Sequence, residues 1–157
     1  MALEPAIQEL VDRAAIRDLM ARYARGLDRL DLDLVASSFT TDAYVNYGTW
    51  EDTGVDNIVR RLRARVSRYD RSTHFMGDQV VRFNDDTADV ETYALIYIVY
   101  SVEGNQYQSM GGIHYEDRMT RHGGGWQVQR RVVHHDWRRK ARVDESVPGT
   151  ERLPISE

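Results

Sequence analysis

The chain of 157 residues contains no cysteine. This absence excludes a disulfide scaffold, a cysteine nucleophile and any metal site built on thiolates. Long apolar runs are also missing, since none approaches the roughly 20 residues that a membrane-spanning helix needs. The N-terminal segment MALEPAIQELVDRAAIRDLM carries acids and arginines throughout, which is unlike a signal peptide. We therefore expect a cytoplasmic protein that does not contact a membrane.

An excess of positive charge is lacking as well. The net charge of −4 argues against a general nucleic-acid binder, which is more often basic. The sequence also contains no GxGxxG motif, no phosphate-binding loop and no nucleophile elbow. We expect no cofactor and no nucleic-acid partner, and the length suits a single domain with one core.

The order of elements predicts an α+β fold. Apolar residues recur at three- and four-residue steps from Ile7 to Leu27, which predicts a long helix over 5–30. DLDLVASSF predicts a short helix, DAYVNYG a short strand, and DTGVDNIVRRLRARVSRY a third helix. Four long strands follow at about 72–83, 87–102, 106–121 and 126–137, joined by turn sequences. We expect one domain over 1–140 and a C-terminal tail over 141–157.

Such a meander can curve around the helices and enclose a pocket. Strand alternation, taken without bulges, assigns the side chains to two faces. One predicted face of the first long strand carries His74, Met76, Asp78, Val80 and Arg82. The pocket-facing side of the last strand is predicted to carry Arg131, Val133, His135 and Trp137.

Asp28 and His74 are the first candidates for chemistry. Asp28 lies at the edge of the apolar stripe of the first helix, where a buried carboxylate needs a partner. That partner is either a neighbouring arginine, Arg25 or Arg29, or His74 at the start of the first long strand. A carboxylate bonded to one ring nitrogen would fix the tautomer and make the other nitrogen a base. Taken alone, His74 also fits an ordinary polar histidine.

The remaining histidines favour a metal site less. We expect His114 on the outer face of the sheet and His122 in a solvated turn. His134 and His135 are adjacent in a strand and so point to opposite faces, which prevents them from chelating one metal together. We therefore expect no metal. His135 shares the inner face with Arg131, which suits either a structural ion pair or the stabilisation of an anion.

Aromatic side chains are frequent, and several could line a cavity for a flat apolar ligand. The residues expected to line it are Tyr44, Tyr47, Trp50, Met76, Ile113, Tyr115 and His135.

The motifs YARGLD, STHFMGD, GGIHYEDRM and GGWQVQRRVVHHDW, set in this order of helices and strands, resemble the SnoaL-like branch of the nuclear transport factor 2 (NTF2-like) superfamily. The resemblance covers about residues 6–138 and implies a cone: a curved antiparallel sheet around three helices with an internal pocket. Within this branch, the sequence is similar in pattern to bile-acid 7α-dehydratase, scytalone dehydratase and hexachlorocyclohexane dehydrochlorinase, which use an Asp–His dyad. A fold of this kind hosts many functions.

The resemblance implies catalytic roles for Asp28, His74, Tyr23 and Arg131. The dehydratase tyrosine falls on Tyr23, where the dehydrochlorinase has lysine, and this departure favours oxygenated substrates over chlorinated ones. The implied function is a cofactor-independent dehydratase or isomerase acting on a cyclic apolar substrate such as a steroid, terpenoid or polyketide.

Other functions remain open at this point. They are a non-catalytic ligand-binding or interaction domain, the small subunit of a ring-hydroxylating dioxygenase, and a polyketide cyclase. A long exposed sheet face would normally be covered, so we expect a homo-oligomer, either a dimer or a trimer.

Overall fold

The computed structural model describes residues 4–143. Its helices are α1 (Pro5–Arg29), α2 (Leu32–Ala36) and α3 (Val55–Val66). Pro5 occupies the first turn of α1, where its missing N–H costs nothing. The carboxylate of Asp31 accepts a hydrogen bond from the backbone N–H of Leu34 and so caps α2. None of the helices in this described part of the chain combines the length and the apolar character that crossing a bilayer demands.

Six strands form one sheet. They are β1 (Phe39–Asn46), β2 (Glu51–Thr53), β3 (Arg71–Asn84), β4 (Thr87–Val102), β5 (Asn105–His122) and β6 (Gly125–Arg142). Their spatial order is β2-β1-β6-β5-β4-β3, and all neighbours are antiparallel except β1 and β6, which run parallel. The sequence did not reveal β2. Strand β6 continues to Arg142, and residues 144–157 of the predicted tail lie outside the described residues.

Helix α1 packs against the concave face of the sheet and supplies much of the core. Its residues Ile16, Leu19, Met20 and Tyr23 have no exposed area. Helices packed on one face of a curved, mostly antiparallel sheet confirm the predicted α+β cone.

The first turns of α1 depart from the predicted stripe. Leu10 is 68% exposed, and Ile7 and Val11 are also exposed, whereas Asp12 is buried. Asp12 accepts two hydrogen bonds from Arg121 and one from the indole N–H of Trp126. At this end of the helix, the side that faces the sheet is therefore the side that carries Asp12. Ile7, Leu10 and Val11 therefore belong to the apolar periodicity that predicted the helix but lie outside its buried stripe.

A bulge in β3 changes which side chains face inward. Met76 pairs with Ala94 and Gln79 with Thr92, so β3 has one residue more than β4 between these pairs. Beyond the bulge the alternation reverses. The prediction that Asp78, Val80 and Arg82 share a face with His74 was therefore wrong, and the residues that follow His74 and Met76 on the inner face are Gln79, Val81 and Phe83.

A second bulge lies in β6. Ile113 pairs with His135 and Gly112 with Trp137, which leaves Asp136 as the extra residue. Trp137 consequently lies over Gly112, where its indole fills the space that a side chain at that position would need. The predicted placement of Trp137 beside His135 was wrong because alternation cannot reveal a bulge.

Candidate active site

Asp28 and His74 are in direct contact. Asp28 lies in the last turn of α1, and His74 lies near the start of β3. Oδ1 of Asp28 is 2.6 Å from Nδ1 of His74 and also accepts a 2.8 Å hydrogen bond from the hydroxyl of Ser72. Oδ2 accepts the backbone N–H of His74 at 2.8 Å. The carboxylate thus fixes both the imidazole and the strand that carries it.

The surroundings of this pair are largely closed to water. The side chain of His74 is 7% exposed and that of Asp28 is 22% exposed. Burial acts to raise the pKa of Asp28, but the hydrogen bonds and the charge of His74, with the hydrogen bond from Ser72, outweigh it and lower that pKa. An ionised Asp28 makes Nδ1 of His74 the protonated nitrogen. Nε2 is then the ring atom that can accept a proton.

A cleft of about 860 Å³ runs between α1 and β3 beside the pair. Asp28 and His74 both line it, together with apolar side chains of the helix and the strand, and arginines stand at its rim. The apolar lining residues are Met20, Ala21, Ala24, Phe75 and Met76, the arginines are Arg17, Arg25 and Arg29, and Asp78 and Gln79 add further polar groups. A molecule in this cleft would therefore meet the imidazole between an apolar patch and charged side chains.

Tyr23 and Tyr47 form a buried pair of hydroxyls. Their oxygens are 2.6 Å apart, and Tyr23 has no exposed area while Tyr47 has 8%. Burial raises the pKa of Tyr23, and the nearby guanidinium of Arg131 opposes that rise. Since each hydroxyl has one hydrogen and only one is used between them, the pair retains one hydrogen that it can donate.

Arg131 is fully buried and is held by Asp117. The guanidinium donates two hydrogen bonds of 2.7 Å to the carboxylate of Asp117, which is also buried. It lies 4.3 Å from the ring centre of Tyr23 and 4.6 Å from that of Tyr115. Burial by itself would lower the pKa of Arg131, but Asp117 raises it well above its usual value.

The strand registers separate Arg131 from His74. His74 pairs with Ile96, which pairs with Gly111, whereas Asp117 and Arg131 pair with each other further along the sheet. Arg131 therefore contacts the tyrosines and not the imidazole. Sequence reasoning missed Asp117, although an acid at the inward-facing position between Tyr115 and Met119 could have indicated it.

The residues predicted to line a pocket are divided among several places. Met76 lines the cleft with the Asp28–His74 pair. Ile113 and His135 line a smaller cavity of about 60 Å³ on the concave face, where Nε2 of His135 is 3.3 Å from the carbonyl oxygen of Tyr47.

The aromatic residues predicted to line the pocket lie outside the two cavities. Tyr115 is buried, and Trp50 stacks on Tyr47 with ring centres 4.5 Å apart. Tyr44 lies elsewhere, because its hydroxyl donates to Glu51 on the exposed side of β1. Tyr44 is therefore not part of the cleft wall.

Known proteins share this architecture. The model of the SnoaL-like domain matches residues 8–132. An uncharacterized protein of Mycobacterium tuberculosis, Rv2910c, is 27% identical over 131 residues, which cover 81% of this chain and 87% of that protein. A solved hexachlorocyclohexane dehydrochlorinase (LinA, type 2) superposes with a TM-score of 0.81 at 18% identity, covering 92% of this chain and 99% of the other.

A solved structure of a proposed scytalone dehydratase from Novosphingobium aromaticivorans has a TM-score of 0.78 at 22% identity, covering 97% of this chain and 98% of the other. At such identities the solved structures establish the fold alone. The match of the domain model over most of the described residues carries the assignment: the chain belongs to the SnoaL-like family.

Proposed function

We propose that the protein is a cofactor-independent dehydratase or isomerase in which His74 removes a carbon-bound proton. The observation that carries this proposal is the 2.6 Å contact between Nδ1 of His74 and Oδ1 of Asp28 at the wall of a cleft of mixed polarity. Asp28 holds the imidazole in the tautomer that a base needs, and its charge stabilises the imidazolium that forms. General-base catalysis of this kind contributes about 10²- to 10⁴-fold.

The Tyr23–Tyr47 pair is the candidate for stabilising the negative charge that develops on an oxygen of the substrate. Removal of a proton beside a carbonyl places negative charge on the carbonyl oxygen, and loss of a hydroxyl places it on the leaving oxygen. Neither tyrosine lines the cleft, so the free hydrogen of the Tyr23–Tyr47 pair would stabilise either oxygen only in a substrate that enters beyond the cleft toward the buried pair. Arg131 acts through Tyr23, because its cation opposes the rise in the pKa of that hydroxyl. Arg131 is thus a positioning residue in this proposal.

The substrate class follows from the walls of the cleft. Met20, Ala24 and Met76 line the cleft with the imidazole, and a cyclic substrate with one or two oxygen functions would place its carbon skeleton against them and its oxygens toward the polar lining. Steroids, terpenoids and polyketides are such molecules. In those that carry a carbonyl beside the reacting carbon, dehydration or double-bond migration can begin with removal of the proton next to that carbonyl.

Hydrogen–deuterium exchange tests the proposal without the natural substrate. A panel of cyclic ketones incubated in deuterium oxide is followed by NMR for exchange of the protons beside the carbonyl. We expect the protein to accelerate exchange in at least one member, and His74→Ala to return the rate to that of buffer. His122→Ala, an exposed histidine at the end of β5, is the matched control and should exchange like the unaltered protein.

The other candidate functions predict different results, in this experiment or in one further measurement. A non-catalytic binding domain would bind ketones without exchanging their protons. A polyketide cyclase would exchange protons and then form a new carbon–carbon bond in a linear polyketide. A dioxygenase small subunit would be expected to depend on a large partner, so a stable assembly of this chain alone would count against it.

The outer face of the sheet supports the proposal of a homo-oligomer. Phe75, Tyr93, Leu95 and Trp137 are exposed there, and they surround a shallow apolar depression. Covering this patch with a second copy would remove it from water. Light scattering after size exclusion should give the mass of a dimer or a trimer, and a monomer at micromolar concentration would contradict the proposal.

A further inference from the structure

Two histidines face each other on the outer side of the sheet, away from the cleft. His114 of β5 pairs directly with His134 of β6, and their rings are stacked with centres 4.5 Å apart. Glu116 follows His114 by two residues and therefore shares its face. One possible ligand atom from each of His114, Glu116 and His134 lies within 4.8 Å of the other two. Adjacent strands thus bring two imidazoles and a carboxylate together.

Asp136 holds the first of these imidazoles in place. It is the extra residue of the β6 bulge, and its carboxylate lies 2.9 Å from Nδ1 of His114. Bulges commonly re-aim a side chain in this way. With Nδ1 occupied, His114 offers Nε2 as a ligand atom. A carboxylate behind a metal-binding histidine is the usual arrangement in protein metal sites, because it fixes the ring and raises its basicity.

The second imidazole has a buried nitrogen without a satisfactory partner. Nε2 of His134 is removed from solvent and makes no well-aligned hydrogen bond. Its nearest acid is Glu116, whose Oε2 is 3.2 Å away, within ion-pair distance but not in hydrogen-bond geometry. A buried polar nitrogen in this position carries a desolvation cost that a bound cation would offset.

We propose that His114, His134 and Glu116 form a binding site for a divalent transition-metal ion of the Zn²⁺ class. Two neutral imidazoles and one carboxylate are ligands that Zn²⁺ and its neighbours prefer, and three protein ligands leave a position open for water. The ion would tie β5 to β6 on the face opposite the cleft. The site does not depend on the function proposed for Asp28 and His74.

An ion-pair cluster is the competing explanation for the same side chains. In that case the contacts of His114 with Asp136 and of His134 with Glu116 would be ion pairs alone, and no metal would bind. The two explanations differ in whether a metal binds, and this can be measured directly.

The test is isothermal titration of the untagged full chain, treated with a chelator and dialysed, with zinc chloride. We expect one Zn²⁺ per chain, loss of that binding in His114→Ala and in His134→Ala, and weaker binding in Glu116→Gln. Asp136→Asn should weaken binding about 10- to 100-fold, as expected for a residue behind a ligand. Circular dichroism of each variant verifies that the fold is retained.

His122→Ala is the matched control, since it removes an exposed histidine outside the cluster and should leave the affinity unchanged. Cobalt substitution adds a spectroscopic readout, because the visible bands of bound Co²⁺ should disappear in His114→Ala and His134→Ala. Absence of Zn²⁺ binding to the unaltered chain would overturn the proposal. Binding that survives in both histidine variants would overturn it equally.

Discussion

Asp28–His74 and Asp136–His114 are two aspartate–histidine pairs on opposite sides of one sheet. In both, a carboxylate oxygen lies close to Nδ1, at 2.6 Å in the first pair and 2.9 Å in the second. The exposed fractions of Asp28 and His74 are 22% and 7%, against 37% and 21% for Asp136 and His114. The two pairs thus have the same residue types and a similar contact at Nδ1, and they differ in how far they are exposed to solvent.

The two pairs also differ in the additional hydrogen bonds that each carboxylate accepts. Asp28 also accepts hydrogen bonds from the backbone N–H of His74 and from Ser72, so helix, strand and imidazole are fixed together beside the cleft. Asp136 sits in a bulge on an exposed face. Burial and the number of fixed contacts are therefore the reasons for which we propose proton transfer for the inner pair and support of a metal ligand for the outer pair.

The largest expected effect comes from breaking the inner pair. Asp28→Asn and His74→Gln should each slow turnover of an accepted ketone by about 10²- to 10⁴-fold, because each removes the same base. Residues that act as a unit are not additive, so the double variant should be no slower than the slower single variant. Steady-state kinetics of the three variants measure this. Multiplicative losses would show that the residues act separately.

Replacing Arg131 should cost more in stability than any change in the outer pair. Arg131→Met leaves the buried carboxylate of Asp117 without its partner, which destabilises a protein by about 3–5 kcal/mol. Urea unfolding measures the loss. The double variant Arg131→Met with Asp117→Leu should recover much of it, since no charge is then left buried. A double variant as unstable as the single one would contradict this explanation.

The pH dependence of unfolding should reveal the inner pair. The pKa of Asp28 is lower in the folded chain than its ordinary value of about 3.9. Asp28 therefore contributes stability above that ordinary pKa, and the contribution is lost as pH falls through the folded pKa. Acid unfolding of the unaltered protein and of Asp28→Asn should converge at the lowest pH. Parallel curves at all pH values would contradict the shift.

The smallest effect is expected for the outer pair. Asp136→Asn removes a partly exposed carboxylate, and exposed ion pairs contribute about 0–1 kcal/mol. The free energy of unfolding in urea, measured without added metal, should change by no more than that. A larger loss would show that the outer cluster stabilises the fold by itself.

The sequence predicted the element order well and the faces of the strands less well. The three helices and four long strands follow from apolar periodicity and turn residues, and the domain model and the superposed folds confirm the cone. The bulges at Gly77–Asp78 and at Asp136 could not be predicted, because one extra residue in a strand leaves no mark on composition. Beyond each bulge, strict alternation assigned the wrong face.

The candidate site shows the same limit. The family resemblance directed attention to Asp28 and His74, and the structure brings them into contact, while their catalytic role stays a prediction. The ion pair of Asp117 could not be predicted, because its partner, Arg131, lies on the next strand. The pairing of His114 with His134 could not be predicted for the same reason. Reasoning that His134 and His135 point apart was sound for those two but did not include the opposite strand.

The most direct test of the account compares proton exchange in two matched variants. Asp28→Asn and Asp136→Asn make the same chemical change in the two pairs, and both are assayed with the same ketone in deuterium oxide by NMR. We predict that Asp28→Asn falls by about 10²- to 10⁴-fold or to the buffer rate, whereas Asp136→Asn exchanges like the unaltered protein. Full activity in Asp28→Asn would contradict the assignment of Asp28 and His74 as the base.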